Sequence, residues 1–225
     1  MNWSHDSGQV FRNRSDAGRA LARALLKRRD WNDPVVLALP RGGVPVAFEV
    51  ATTLDAPLDL LLVRKIGHPR HEEFAIGAIA SGGVTVMNSE AHRYLGDVSQ
   101  HEVDRVMARE QAELARREAL YRGDRPPLSL SGHEAILVDD GLATGATMRA
   151  AVQAVRQLSP SWVVVAVPVG APDTCDALRA LADDLVCVRT PEQFHAVGEW
   201  YSDFPQTSDE EVRDLLQRAP RHAAT

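Results

Sequence analysis

Five stretches of the chain are short, almost wholly apolar and closed by a glycine, a proline or a charge: PVVLALP, LDLLLVRKI, AILVDD, SWVVVAVPVG and DLVCVRT. Continuous apolar runs of this length, rich in valine, isoleucine and leucine, predict strands covered on both faces. Between them the pattern shifts to a helical period. DAGRALARALLKRR places Ala17, Leu21, Ala24 and Leu25 on one side, with Ser15 as its expected N-cap and basic residues in its last turn. VPVAFEVATTL and DTCDALRALAD read as helices, and TMRAAVQAVRQL aligns Met148, Ala151, Val152, Val155 and Leu158. FAIGAIASGGVTVMN differs: two β-prone runs flank Ser81-Gly82-Gly83, which predicts a hairpin over residues 73–88. Residues 89–122 are highly charged, with Val103, Met107 and Leu114 along one face, and predict a solvated helix laced with ion pairs, broken by GDRPPLSLSG.

Strands alternating with helices imply an α/β fold: a parallel sheet of about five strands flanked by helices, with a small hood. Residues 1–225 are expected to form a single domain. Its core spans about 35–65 and 133–190; the hood spans about 66–125, with a C-terminal segment at 191–218. The sites of such sheets lie beyond the carboxyl ends of their strands.

The 225 residues are 44% apolar, enough for a full core, and the formal net charge is −6. That acidity argues against a general nucleic-acid footprint. No apolar run approaches the roughly 18–20 residues that span a bilayer, and the first residues lack a basic-then-apolar leader. No membrane association and a cytoplasmic location are the expectation. Cys175 and Cys187 are not spaced as a CxxC pair and are read as reduced packing residues.

One stretch carries chemistry. In ILVDDGLATGATM, residues 136–148, an apolar strand runs into two adjacent carboxylates and then a loop of small and hydroxyl residues. Asp139 and Asp140 repel each other, which is costly unless something is held there. Free N–H groups at the start of the next helix attract an anion, and Thr144 and Thr147 add hydroxyl donors. A ligand with a phosphate at the helix start and vicinal hydroxyls at the acids fits, as a ribose 5-phosphate does. The loop lacks the Lys-Ser/Thr pair of a Walker loop and is not G-x-G-x-x-G.

This stretch closely resembles the phosphoribosyl-pyrophosphate (PRPP) motif of the type I phosphoribosyltransferases. The resemblance implies that Asp139 and Asp140 bind the ribose hydroxyls and that Ala143, Thr144, Gly145, Ala146 and Thr147 cradle the 5′-phosphate. LALPRGGVPVA resembles the family's pyrophosphate loop, which often has a strained, sometimes cis, peptide; Arg41, Gly42 and Gly43 fall there. LLLVRKIGHP resembles the Arg-Lys of adenine-type members, which gives Arg64 and Lys65 a pyrophosphate role at the end of the second core strand. With RK-G, AIGA and the late FHAVGEWYSDF, the chain looks most like a bacterial stand-alone group of the family.

The implied reaction displaces pyrophosphate from PRPP by a nitrogen acceptor, with Mg²⁺ bridging the substrate's phosphates and hydroxyls. The implied catalytic set is Asp139, Asp140, Arg41 and Lys65. Ala143 stands where 6-oxopurine enzymes carry an aspartate, which weakens those purines as acceptors. Glu73, Phe194, His195, Trp200 and Tyr201 are the acceptor candidates, beside the plainer reading that the aromatics pack the tail. His68 and His71 lack further ligands at zinc spacing and are read as a loop rather than a metal pair. A homodimer is a further expectation from the resemblance. A non-catalytic PRPP sensor is the alternative function.

Overall fold

The computed structural model describes residues 10–88, 93, 95–123 and 129–220. Five strands form one parallel sheet in the order β2-β1-β6-β7-β8: β1 Pro34–Ala38, β2 Leu58–Leu60, β6 Glu134–Val138, β7 Trp162–Val169 and β8 Asp184–Arg189. Successive strand residues point to opposite faces, so each apolar run feeds two cores. Val36, Ala38, Ile136, Val138, Val164 and Ala166 face one core, built with helices α1 (Arg14–Arg28), α2 (Gly43–Leu54), α3 (Gln100–Arg122) and α6 (Asp209–Arg218). Val35, Leu37, Ala135, Leu137, Val163 and Val165 face the other, under α4 (Ala146–Arg156) and α5 (Pro172–Arg179). The expected parallel sheet flanked by helices is present.

A second, antiparallel sheet, β3-β4-β5, is made of β3 Val63–His68, β4 His71–Ala80 and β5 Val84–Met87. Its β4–β5 turn falls at Ser81–Gly83, as the hairpin pattern implies. The run expected as one strand over residues 58–66 is divided. Leu61 N–H still donates to Ala38 in the large sheet at 2.9 Å. Leu62 N–H instead donates to the Ser81 hydroxyl at 3.0 Å, and Ser81 N–H returns a bond to the Leu62 carbonyl at 2.9 Å. That exchange draws residues 63–66 into antiparallel pairing with residues 77–80. Arg64 and Lys65 therefore lie in the small sheet, not at the tip of the second core strand.

Two helix starts also differ from expectation. The N-cap of α1 is Asn13, whose side chain accepts from Asp16 N–H at 2.9 Å, while Ser15 lies inside the first turn. Helix α3 begins at Gln100, because Ser99 and Glu102 form a reciprocal capping box. Residues 89–92 and 94, in the earlier part of the expected helix, lie outside the described residues. Helix α6, capped by the Ser208 side chain, was not among the expected elements. Among the described residues no helix is long and apolar enough to cross a membrane.

Candidate functional site

The carboxyl ends of β1 and β6 are neighbours in register, Ala38 beside Val138. The loops that follow them meet. The Pro40–Arg41 peptide is cis, and Gly42 and Gly43 then turn the chain into α2. A Cβ on Gly42 would lie 2.1 Å from Asp140 Oδ2, and one on Gly43 would lie 2.7 Å from the Val138 carbonyl and 3.0 Å from Asp139 Cα. No side chain fits at either position. The two glycines let the pyrophosphate-loop candidate rest directly on the acid pair.

The acids have unlike surroundings. Asp139 Oδ1 accepts the Asp140 N–H at 2.8 Å, and burial, then the neighbouring Asp140 charge, pushes the Asp139 carboxyl well above its usual range. Asp140 is also raised, by burial, but the Arg14 guanidinium opposes the shift; its Nε donates to Asp140 Oδ2 at 2.8 Å.

The candidate anion loop, residues 141–147, is shaped from outside. Leu142 N–H donates to Val169 and Ala171 N–H to Leu142, both at 2.9 Å, which stitches the loop to the end of β7. The Thr174 hydroxyl donates to the Ala143 carbonyl at 2.7 Å, and Arg149 Nη2 to the Thr144 carbonyl at 2.6 Å. With those carbonyls turned outward, the first amides of α4 are left over, since Ala146 and Thr147 have no intrahelical partner. Gly145 takes the left-handed conformation at φ 68°, and a Cβ there would lie 2.5 Å from Thr174. Ala143, Thr144, Ala146 and Thr147 are exposed.

Arginines stand on the other side. A small cleft is lined by Leu39, Pro40, Arg64, Arg117 and Thr147. It joins the β1 loop, the small sheet, α3 and the start of α4. Its two arginines, and Arg41 next to the lining Pro40, already face acids. Arg41 lies 3.5 Å from Asp209, Arg64 Nη2 donates to Glu110 at 2.5 Å, and Arg117 Nε donates to Glu113 at 2.8 Å. Lys65 lies 3.4 Å from the fully exposed Glu73.

The C-terminal segment covers the acids from behind. Tyr201 is buried; its hydroxyl donates to the Asp140 carbonyl at 2.6 Å, and its ring stacks on Phe204 and tilts against Phe11. Burial, then the Asp140 charge, pushes the phenol far above its usual range. Val197 packs so closely on Gly141 that a Cβ there would lie 2.6 Å away. Phe194 and Trp200 are half-buried against the same cluster, while His195 is exposed and 3.6 Å from Glu199. Of the acceptor candidates, Tyr201 thus presents its ring to protein on both sides.

The family model described as "Phosphoribosyl transferase domain" matches residues 7–203. The chain belongs to the phosphoribosyl transferase domain family. A Mycobacterium tuberculosis H37Rv protein named "Putative phosphoribosyl transferase Rv0571c" is 46% identical over 216 residues, 96% of this chain and 48% of that protein. The CDC 1551 / Oshkosh protein MT0597 gives the same figures. The chain therefore spans about half the length of the curated relatives it matches. The crystal structure of TT1426 from Thermus thermophilus is similar at 45% identity and a TM-score of 0.83, covering 92% of this chain and 98% of that one.

Within this phosphoribosyl transferase domain, the structure adds residues that the motifs do not reveal. Arg14 comes from the first helix and Arg117 from the charged run read as solvated surface. An arginine in such company carries no local signature. Asp209 lies at the start of the unexpected helix α6. The His68 and His71 rings lie tilted with their centres 5.3 Å apart, with His68 buried and its Nδ1 accepting from Arg70 N–H at 3.1 Å. No group of three or more His, Cys, Asp or Glu suited to a metal occurs among the described residues. The thiols of Cys175 and Cys187 are unbridged and meet beside Gly170, under the anion loop.

Proposed function

We propose that the protein transfers the 5-phosphoribosyl group of PRPP to a nitrogen acceptor, a nucleobase or related heterocycle, with release of pyrophosphate. The observation that carries this reading is the seating of Gly42 and Gly43 on Asp139 and Asp140, which puts the two motifs into one cleft. The acids would take the ribose hydroxyls. The amides from Ala143 to Thr147 would take the 5′-phosphate. Arg41, Arg64 and Lys65, with Arg117 beside them, would surround the departing pyrophosphate. Its negative charge grows as the bond to C1 breaks, so fixed cations there favour the transition state over the ground state. The carboxylates beside the sugar would favour the positive charge that develops on the ring.

The donor set suits a Mg²⁺ that arrives on the substrate. Oxygen donors are few, Asp140 is engaged by Arg14, and Mg²⁺ is commonly bound through phosphates and retained water. When bound, the ion would neutralise phosphate charge. Phe194, His195 and Trp200 of the C-terminal segment and Glu73 of the small sheet remain the acceptor candidates. A homodimer is proposed with this reading and is read by light scattering at micromolar concentration.

The test supplies PRPP and Mg²⁺, adds nucleobases and other heterocyclic or amine acceptors one at a time, and follows pyrophosphate. Release with a particular acceptor is the expected result. Tight PRPP binding without release under any condition would replace the transferase reading with a sensor.

A further inference from the structure

Asp140 is restrained twice by segments that lie far away in the sequence. Arg14 Nε holds its Oδ2 at 2.8 Å, and the Tyr201 hydroxyl holds its main-chain carbonyl at 2.6 Å. Arg14 is itself fixed. Its Nη1 donates to the Pro205 carbonyl at 2.6 Å, and its guanidinium lies 3.7 Å above the centre of the Phe204 ring. Phe204 stacks in turn on Tyr201, with ring centres 4.8 Å apart. The pair is largely shielded, with side-chain exposures of 11% for Arg14 and 16% for Asp140.

Backbone bonds tie the two distant segments together. Phe11 N–H donates to Trp200 at 2.9 Å, Ser202 N–H to Phe11 at 2.8 Å, and Asp203 N–H to Arg12 at 2.9 Å. The result is a clasp of residues 11–14 and 200–205 whose two polar ends both close on one residue. A pair serving only to stabilise the fold would need just one of these holds, and neither would need to be at the tip of β6.

We propose that Arg14 is a positioning residue: through the clasp it fixes the Asp140 carboxylate in the orientation that receives the ribose. This rests on the phosphoribosyl reading above. The hold engages Oδ2, the oxygen that also lies nearest Gly42, and leaves Oδ1 to accept a ribose hydroxyl. Without it, the Asp140 carboxylate would lose its charge partner and be free to rotate toward solvent. Arg14 then acts on the sugar half of the ligand and not on the diphosphate half, which the arginines across the cleft serve.

The experiment measures Mg²⁺-PRPP and Mg²⁺-pyrophosphate affinities by calorimetry in wild type, Arg14→Ala and Phe204→Leu. Arg14→Ala is expected to weaken PRPP by about tenfold or more, the scale of one charge-assisted hydrogen bond, with pyrophosphate affinity within about twofold of wild type. Phe204→Leu keeps Arg14 but removes the ring beneath it, and should show a smaller loss with the same selectivity; it carries the test if Arg14→Ala does not fold. Equal weakening of both ligands would make Arg14 a general structural residue and overturn the proposal, as would unchanged PRPP affinity. Wild-type protein that binds no PRPP would overturn the phosphoribosyl reading itself. Wild-type binding with unmoved variants would overturn the positioning role alone.

Discussion

Asp139 and Asp140 are adjacent, yet their removal should not be equivalent. Burial raises Asp139 well above its ordinary value near 3.8. The folded protein thus keeps a proton there that the unfolded chain releases. Stability from this group is present below the ordinary value and is lost as pH climbs through the raised one. Asp139→Asn should therefore match wild type near pH 4 and melt higher toward neutrality, by about 1–2 kcal/mol or roughly 2–8 °C. Asp140→Asn should gain less, within about 1 kcal/mol of wild type, because it also strips Arg14 of its charge partner. Melting curves from pH 4 to 8 without ligand check the order, and both variants should lose most of the shift that Mg²⁺-PRPP gives wild type. Gly42→Ala is the harsher change, since its Cβ would fall 2.1 Å from Asp140 Oδ2. A loss of stability of about 1–3 kcal/mol, with PRPP binding abolished, is expected from melting and calorimetry.

At the scale of elements, the anion loop should behave as a preset cradle. Gly145→Ala puts a Cβ into a left-handed position and 2.5 Å from Thr174. It should cost about 1–2 kcal/mol of stability and weaken phosphate or sulfate binding at least severalfold, as calorimetry would read. This loop was legible beforehand because strand, acids, glycine and hydroxyls are contiguous. The five core strands were legible for a related reason: both faces are buried, so most of their residues are apolar and the signal is dense. The break at Leu61–Leu62 was not, since it depends on Ser81, nineteen positions away. Likewise the Arg14–Asp140 contact spans 126 positions. Local patterning reports which face of an element is buried, but not which distant side chain meets it.

The whole molecule brings an acid against each main arginine of the cleft. Asp209 stands out because it also accepts the Tyr121 hydroxyl at 2.6 Å, which joins α3 to α6 beside the β1 loop. That bond, more than Arg41, holds the Asp209 carboxyl below its usual range. It remains charged at neutral pH and competes with an anion for Arg41. Asp209→Asn should tighten Mg²⁺-pyrophosphate binding by about two- to fivefold at low salt, with the gain fading as salt rises. Calorimetry at two ionic strengths checks this.

The clasp also gives the site a place in time. A ribosome delivers residues in order, and domains assemble as they emerge. All five parallel strands are available once Arg189 is out, but Tyr201 and Phe204 follow later. A nascent chain arrested between those points would hold a nearly finished sheet with Asp140 unsupported. Under the proposed function, competence for the sugar is then acquired after the sheet, once residues 200–205 complete the clasp.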